Sequence, residues 1–114
     1  MNLQDIEQLV NDYECQLNEE YAVKAALVER QNAAEYAKVI TLLAAYSDGV
    51  IDGKNADMRK LQEAAVVGES ESIGEIEHAV KALAQRVALE ENTSKALEAQ
   101  IGLTKAWLYS QSGK

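Results

Sequence analysis

The stretch VIDGKNADMRKLQ, residues 50–62, separates two long helical patterns and decides how they are arranged. Gly49, just before it, suits the left-handed position that follows a helix C-terminus. Asn55 suits the N-cap of a new helix, and Asp57 would lie at the positive end of that helix. The stretch therefore predicts a bend at which one helix ends and a short helix, residues 55–67, begins. We expect the buried face of this short helix to consist of Met58, Leu61, Ala65 and Val66.

Before the bend, residues 3–47 are predicted to form one long helix. Its first part has apolar residues at alternating spacings of three and four, which is typical of one coiled-coil seam: Leu3, Ile6, Val10, Tyr13 and Leu17. The apolar residues then shift round the helix and form a new stripe: Tyr36, Val39, Ile40, Leu43 and Tyr46. Such a shift resembles a stutter in the heptad register.

After the bend, residues 73–111 are predicted to form the second long helix. Ser72 and Glu75 fit a capping box at its start. One stripe with spacings of three and four follows for five heptads: Ile73, Ile76, Val80, Leu83, Val87, Glu90, Ser94, Leu97, Ile101, Thr104 and Leu108. A thinner stripe lies beside it: Ala82, Leu89, Ala96 and Leu103. One stripe can face the helix before the bend, and the other can face something else.

Polar residues interrupt the main stripe at Glu90 and Ser94. In an antiparallel hairpin that turns near residue 60, Glu90 is expected opposite Arg30 and Gln31, and Ser94 within about a turn of Lys24. A polar layer inside a long seam can fix register and partner number. The alternative is that both helices face water where they separate, and the sequence leaves both interpretations open.

Composition agrees with an all-α fold. The 114 residues include no Pro, which breaks helices, and are rich in Ala, Leu and Glu, which favour them. We expect a single domain, residues 1–114, of two long antiparallel helices (a helical hairpin or coiled coil) with a short helix at the bend. A two-helix hairpin has too little core to hide two apolar stripes, so we expect self-association, most simply a homodimer that forms a four-helix bundle.

Charge and hydropathy narrow the function classes. A formal net charge of -8 disfavours binding to the nucleic-acid backbone or to an anionic membrane. No apolar run approaches the roughly 18 residues of a membrane span, and the start lacks the features of a signal peptide. We expect a cytoplasmic protein.

Motifs for catalysis or cofactor binding are incomplete. Residues 49–55, GVIDGKN, have three residues between the glycines and Asn55 in place of the Ser or Thr that a P-loop needs. A calcium loop starting at Asp48 would place Arg59 where the bidentate Glu belongs. Glu75 and His78 have the spacing of a di-iron ligand pair, so a carboxylate-bridged metal site in a dimer remains an alternative. We otherwise expect no enzyme activity and no cofactor.

Two features indicate binding to a partner protein. Trp107 and Tyr109 form an aromatic end on the second long helix, and exposed aromatic residues are typical anchors of interfaces. Burial of this end against the first helix is the alternative. Lys54, Arg59 and Lys60 form a local basic cluster that could take a phosphate or an acidic partner surface.

The turn also resembles that of a known group of proteins. The residues that carry the resemblance lie between two long Ala-, Glu- and Leu-rich helices: Ile51, Gly53, Lys54, Asn55, Arg59 and Leu61. This pattern is similar to a class of small phage and prophage proteins with a GKN…R turn in a helical hairpin. The resemblance implies an accessory protein of a mobile element that acts by binding, with Lys54, Asn55 and Arg59 as family-defining positions.

These observations favour a non-enzymatic protein-binding module that inhibits or adapts a host or phage protein. Lys54, Asn55, Arg59, Lys60, Trp107 and Tyr109 are the predicted partner-binding residues. The first alternative is a nucleic-acid accessory factor that uses the basic cluster, although the acidic total argues against it. The second alternative is a metal-binding bundle.

Overall fold

The computed structural model describes residues 3–112, and every regular element in that range is an α-helix: α1 is Leu3–Ser47, α2 is Ala56–Glu69 and α3 is Glu71–Ser112. The prediction of an all-α fold with two long helices and a short one at the bend is confirmed. The helix bounds differ from the predicted 3–47, 55–67 and 73–111 by no more than two residues. The chain divides into two compact units, a bend unit of Ala26–Leu83 and a terminal unit made from the described parts of Met1–Ala25 and Ala84–Lys114.

A Schellman motif ends α1, as Gly49 predicted. Gly49 has a φ of 76°, its N–H donates to the carbonyl of Tyr46, and the N–H of Val50 donates to the carbonyl of Ala45. These bonds satisfy carbonyls that a helix end leaves without partners. Only glycine adopts this backbone conformation without a steric cost, so the end of α1 is fixed by sequence.

The junction of α2 and α3 is tighter than expected. Ser70 alone separates the two helices, and its Oγ accepts a hydrogen bond from the N–H of Ile73 at 3.3 Å. The N-cap of α3 is therefore Ser70, and the prediction of a capping box at Ser72 was wrong. The same residue also ends α2, because its N–H donates to the carbonyl of Val67.

In the bend unit, α1 and α3 run antiparallel. Ala34 faces the same groove as Val80, and one turn later Lys38 Nζ lies 3.0 Å from Glu77 Oε1. The α1 side of this contact is built mostly from alanines, whereas α3 contributes larger apolar residues, among which Ile73 is fully buried. Large residues on one helix thus fit against small ones on the other, which keeps the interior closely packed.

The terminal unit is a second antiparallel pairing of α1 and α3. Ile6, Val10, Tyr13 and Leu17 are half-buried, while Leu3 is exposed. Asp5 and Leu9 line one groove with Gln100 and Thr104. The residues of the main α3 stripe, from Ile73 to Thr104, are buried or half-buried, and the thinner stripe of Ala82, Leu89, Ala96 and Leu103 is exposed. The main stripe is therefore the intramolecular seam.

Polar side chains lie inside the seam of the terminal unit. Glu20 and Ser94 are buried, and Gln16 Nε2 donates hydrogen bonds to the side chain and the carbonyl of Glu90. The interpretation in which both helices face water here is wrong. The expected register was wrong at Glu90, which bonds to Gln16 and does not pair with Arg30 or Gln31. Lys24 lies 3.3 Å from the carboxylate of Glu91, three residues before Ser94, so Ser94 is within about a turn of Lys24 as expected.

The predicted buried face of α2 is only partly correct. Met58, Leu61 and Ala65 are exposed, which was not expected, whereas Val66 is half-buried as predicted; Val67, Gln62 and Glu63 are half-buried with it. Polar Gln62 and Glu63 hydrogen-bond to the loop and to the end of α1, and this orientation leaves Met58 and Leu61 on the outside. Met58 and Leu61 thus add apolar area to the surface.

Candidate functional site: a polar turn and an apolar face

The loop between α1 and α2 is closed by side chains of α2. Gln62 Oε1 accepts hydrogen bonds from the N–H groups of Asp52 at 3.2 Å and Gly53 at 2.8 Å, and its Nε2 donates to Asp52 Oδ1 at 2.8 Å. Arg59 Nη1 donates to the carbonyl of Gly53 at 3.3 Å, and Asn55 Oδ1 caps α2 by accepting from the N–H of Met58. Gly53, Asn55 and Arg59 of the GKN…R pattern therefore take part in hydrogen bonds within the turn and the start of α2.

Gly53 has no room for a side chain. A Cβ atom there would lie 2.9 Å from Gln62 Oε1, 2.9 Å from the Met58 Cβ and 3.0 Å from the Arg59 nitrogen. Loop and helix approach this closely only because the residue is glycine. The predicted binding residues Asn55 and Arg59 thus have structural tasks.

The remaining members of the basic cluster, Lys54 and Lys60, are exposed at the same bend. The Arg59 guanidinium is bonded to the loop carbonyl, whereas the ammonium groups of Lys54 and Lys60 extend from exposed positions where a partner could meet them.

The aromatic end of α3 is partly open to solvent. Trp107 is 48% exposed and Tyr109 is 76% exposed, and their neighbour Leu103 is exposed as well. The exposure of these side chains argues against the interpretation in which this end is buried against α1. The exposed rings can contribute apolar area to an interface.

Most of the large apolar side chains of α1 within the bend unit are open to solvent. They form what we call the outer stripe, whose members are between 42% and 70% exposed: Val28, Tyr36, Val39, Ile40, Leu43 and Tyr46. At about 100° per residue these six positions cover roughly one third of the helix circumference. An apolar face therefore lies on the outside of α1 and is continuous from Tyr36 to Tyr46, whereas Glu29 and Asn32 interrupt it between Val28 and Tyr36.

The inner face of α1 follows a different set of positions. Its most buried apolar residues are Val23, Ala34 and Ala45, at intervals of 11 residues. An 11-residue interval is about three turns of an α-helix, so the small residues Ala34 and Ala45 lie on one side of α1 in the bend unit. The prediction from sequence followed the large residues and missed this series. The 11-residue spacing of small residues was the signal that could have revealed it.

Polar interactions in the bend unit join α1 to α3 at Lys38 and to α2 at Tyr46. Lys38 lies between Glu77 and Glu35, and the hydrogen bond and charge of Glu77 raise the pKa of the Lys38 ammonium. The Tyr46 hydroxyl donates to Glu63 Oε1 at 2.5 Å, and this bond raises the pKa of the phenol above its ordinary value. Tyr46 thus ties the end of the outer stripe to α2.

A groove of about 400 Å³ lies beside the outer stripe. Its lining residues are Gln31, Asn32, Ala34, Glu35, Lys38, Glu77, Val80 and Lys81. Most of its polar side chains are amides or take part in the ion pairs just described, and the lining contains no thiol, hydroxyl or imidazole. Such a groove can bind by packing and hydrogen bonding.

Over residues 3–112, no group of three or more His, Cys, Asp and Glu side chains is placed to hold a metal ion. Within the same range, none of the helices is both long and apolar enough to span a bilayer. The comparisons with known proteins give no relative: no protein-family model, no curated protein and no solved structure matches this chain.

Proposed function

We propose that this protein is a non-enzymatic protein-binding module that packs a helix of a partner onto the outer stripe of α1. The observation that supports the proposal is the inverted build of α1, with alanines inside and Tyr36, Leu43 and Tyr46 outside. A helix that stands alone on a hydrophilic surface gains nothing from tyrosines and leucines at helical spacing. A helix that packs against a partner gains binding energy, because it buries these side chains in the interface.

The size and shape of the outer stripe fit one partner helix. From Val28 to Tyr46 the stripe is about 27 Å long at 1.5 Å per residue, or roughly five turns. Contiguous apolar patches of several hundred Å² on a monomer commonly mark protein-interaction sites. Helix-in-groove recognition uses anchors at this spacing. The proposal includes an inhibitor or an adaptor as the mode of action, and a partner of either phage or host origin.

The predicted binding residues extend the proposal to two further places. Trp107 and Tyr109 offer aromatic area on the terminal unit. Lys54 and Lys60 offer positive charge at the bend, which suits an acidic partner surface. Nucleic acid is the weaker partner class, because Arg59 is bonded within the turn and the chain has a net charge of -8.

A pull-down with matched variants tests the proposal. The tagged chain is exposed to nuclease-treated bacterial lysate and to untagged copies of itself, as the wild type, as Leu43→Glu and as Leu89→Glu. The two leucines are similarly exposed, at 60% and 67%, but Leu89 lies on α3, outside the outer stripe. We expect Leu43→Glu to lose a captured protein that the wild type and Leu89→Glu retain. Equal capture by all three chains would contradict the proposal.

A further inference from the structure

We infer that the occupant of the outer stripe is a second copy of this chain, with the two α1 helices packed antiparallel through their outer stripes. This inference rests on the proposed function, since it names the partner for the same surface. Three properties of the outer stripe support it: the charges beside it, its area and its match with itself.

The charges beside the stripe favour a second copy. Two copies with a net charge of -8 repel each other over most of their surface. The segment from Val39 to Ser47 is an exception, because it contains no charged residue over nine consecutive positions. In the antiparallel arrangement argued below, this segment of one copy lies opposite residues 32–40 of the other, where Glu35 and Lys38 face the uncharged Ala44 and Thr41. No like charges meet in that contact, and no complementary charge from another protein is needed.

Charge also selects the antiparallel arrangement. In a parallel pair, Glu29 and Glu35, both exposed, would each lie opposite its own copy, and like charges at neighbouring positions destabilise helices. In an antiparallel pair centred between Val39 and Ile40, Glu35 lies opposite Ala44 of the second copy. The carboxylates are then separated.

The area of the stripe is sufficient for a dimer. The five side chains from Tyr36 to Tyr46, at roughly 150–250 Å² for the largest of them, present on the order of 500 Å² per copy. Val28 is not counted, because in this arrangement it lies opposite residue 51, beyond the end of α1. Two copies would bury about 1,000 Å², the area that a biological interface should reach.

The stripe also matches itself in side-chain type. When Val39 faces Ile40 of the second copy, Tyr36 faces Leu43 and Asn32 faces Ser47. An aromatic ring then packs against an aliphatic side chain, and polar residues meet at both ends of the contact. Polar residues at the ends of an apolar seam oppose sliding, because any shift would place them against apolar side chains.

Sedimentation equilibrium of the untagged full-length chain tests the inference. We expect the wild type to form dimers in the micromolar range. Leu43→Glu should weaken the dimer at least tenfold, whereas Leu89→Glu should leave the dissociation constant within about twofold, and circular dichroism checks that both variants stay helical. A wild type that is monomeric at 200 μM (roughly the upper end of specific weak association), or a dimer that Leu43→Glu does not weaken, would overturn the inference.

Disulfide cross-linking tests the orientation. In a Cys15→Ser background, a tagged Tyr36→Cys chain is mixed with an untagged Leu43→Cys chain. Antiparallel packing predicts a disulfide between the two kinds of chain. Disulfides only between identical chains would indicate parallel packing and overturn the inference, because residues seven apart on a helix are separated by about 10 Å, too far for a disulfide.

The failure of this inference is distinguishable from the failure of the proposed function. A monomeric wild type whose capture of another protein depends on Leu43 would contradict the self-pairing and leave the proposed function standing. If Leu43→Glu retained both self-association and the capture of another protein, the inference and the proposed function would both be contradicted.

Discussion

The side chain of Gln62 on α2 accepts a hydrogen bond from the backbone of Gly53 at 2.8 Å, and the space between them has no room for even one methyl group. This contact joins the first residues after α1 to the helix that follows. It accounts for the glycine in the GKN…R pattern by packing, without a ligand.

Replacing Gly53 by alanine should destabilise the protein. The new methyl would lie within 3.0 Å of Gln62, Met58 and Arg59, and we expect a loss of roughly 1–3 kcal/mol in the free energy of unfolding. Gly68→Ala is the matched control, because a Cβ there meets nothing within 4 Å and alanine favours helix α2 by about 0.5–1 kcal/mol. Urea denaturation measures both, and opposite signs are expected. A Gly53→Ala protein as stable as the wild type would contradict the tight packing of the turn.

Asn55→Ala should shorten or fray α2. The lost bond is the one that Asn55 Oδ1 accepts from the N–H of Met58, and N-cap losses of this type cost about 1 kcal/mol. Asn55→Asp keeps the acceptor and should retain most of the stability. If Asn55 were instead a partner-binding residue with no capping task, both substitutions would leave the denaturation midpoint unchanged.

Gln16→Ala should lower the free energy of unfolding by more than a typical surface substitution does. It removes the hydrogen bonds to Glu90 in a seam where Glu20 is 7% exposed. Glu90 keeps Arg86 and Ser94 as partners, so the expected loss is that of a hydrogen bond to a charged group, roughly 1.5–3 kcal/mol. The control is Gln8→Ala, whose hydrogen bond to Asp12 is on the surface, where substitutions change stability by about 0.5 kcal/mol or less. Equal thermal midpoints for the two variants would show that the polar layer does not stabilise the seam.

Stability should fall at alkaline pH. The pKa of Tyr46 is raised above 10.0 by its hydrogen bond to Glu63, and the pKa of Lys38 is raised above 10.5 by Glu77. A group whose pKa is higher in the folded state contributes stability below its unfolded pKa and loses that contribution as pH rises through the folded pKa. We therefore expect a decrease that begins near the ordinary pKa of tyrosine, about pH 10.

The variant Tyr46→Phe removes the phenol hydroxyl and so separates its contribution to the pH dependence from that of Lys38. Denaturation curves between about pH 8 and pH 11 should show a smaller alkaline loss for Tyr46→Phe than for the wild type, because only the Lys38 contribution remains. An identical pH dependence in the two proteins would mean that the bond between Tyr46 and Glu63 does not contribute to stability in solution.

The sequence predicted which segments of the chain are helical better than it predicted which face of each helix is buried. Gly49 and Asn55 mark the bend because left-handed backbone and N-caps restrict residue type strongly. The main stripe of α3 was found because large apolar residues that recur at spacings of three and four along 30 residues fall on one side of a helix. Two long helices joined by a short one followed from these signals alone.

The same reasoning failed on the second half of α1, since it equated large apolar residues with the interior. Ala34 and Ala45 are buried while Tyr36 and Leu43 are exposed, because the bulk of the seam comes from α3. The choice between two apolar faces of one helix depends on what the opposite helix provides, which a single helix does not encode. The polar tasks of Gln62 and Arg59 were missed for a similar reason, as they depend on how α2 folds back over the loop.

The alanines on the inner face of α1 have a mechanical consequence. Methyl groups form a smooth surface with shallow ridges, so packing alone resists axial translation of α3 along α1 less than interlocking leucines would. In the bend unit, the pair of Lys38 and Glu77 joins the two helices at a fixed height. The longitudinal alignment of the helices in this unit therefore depends on electrostatic attraction as well as on shape, and neutralising Lys38 would remove one of the contacts that hold this alignment.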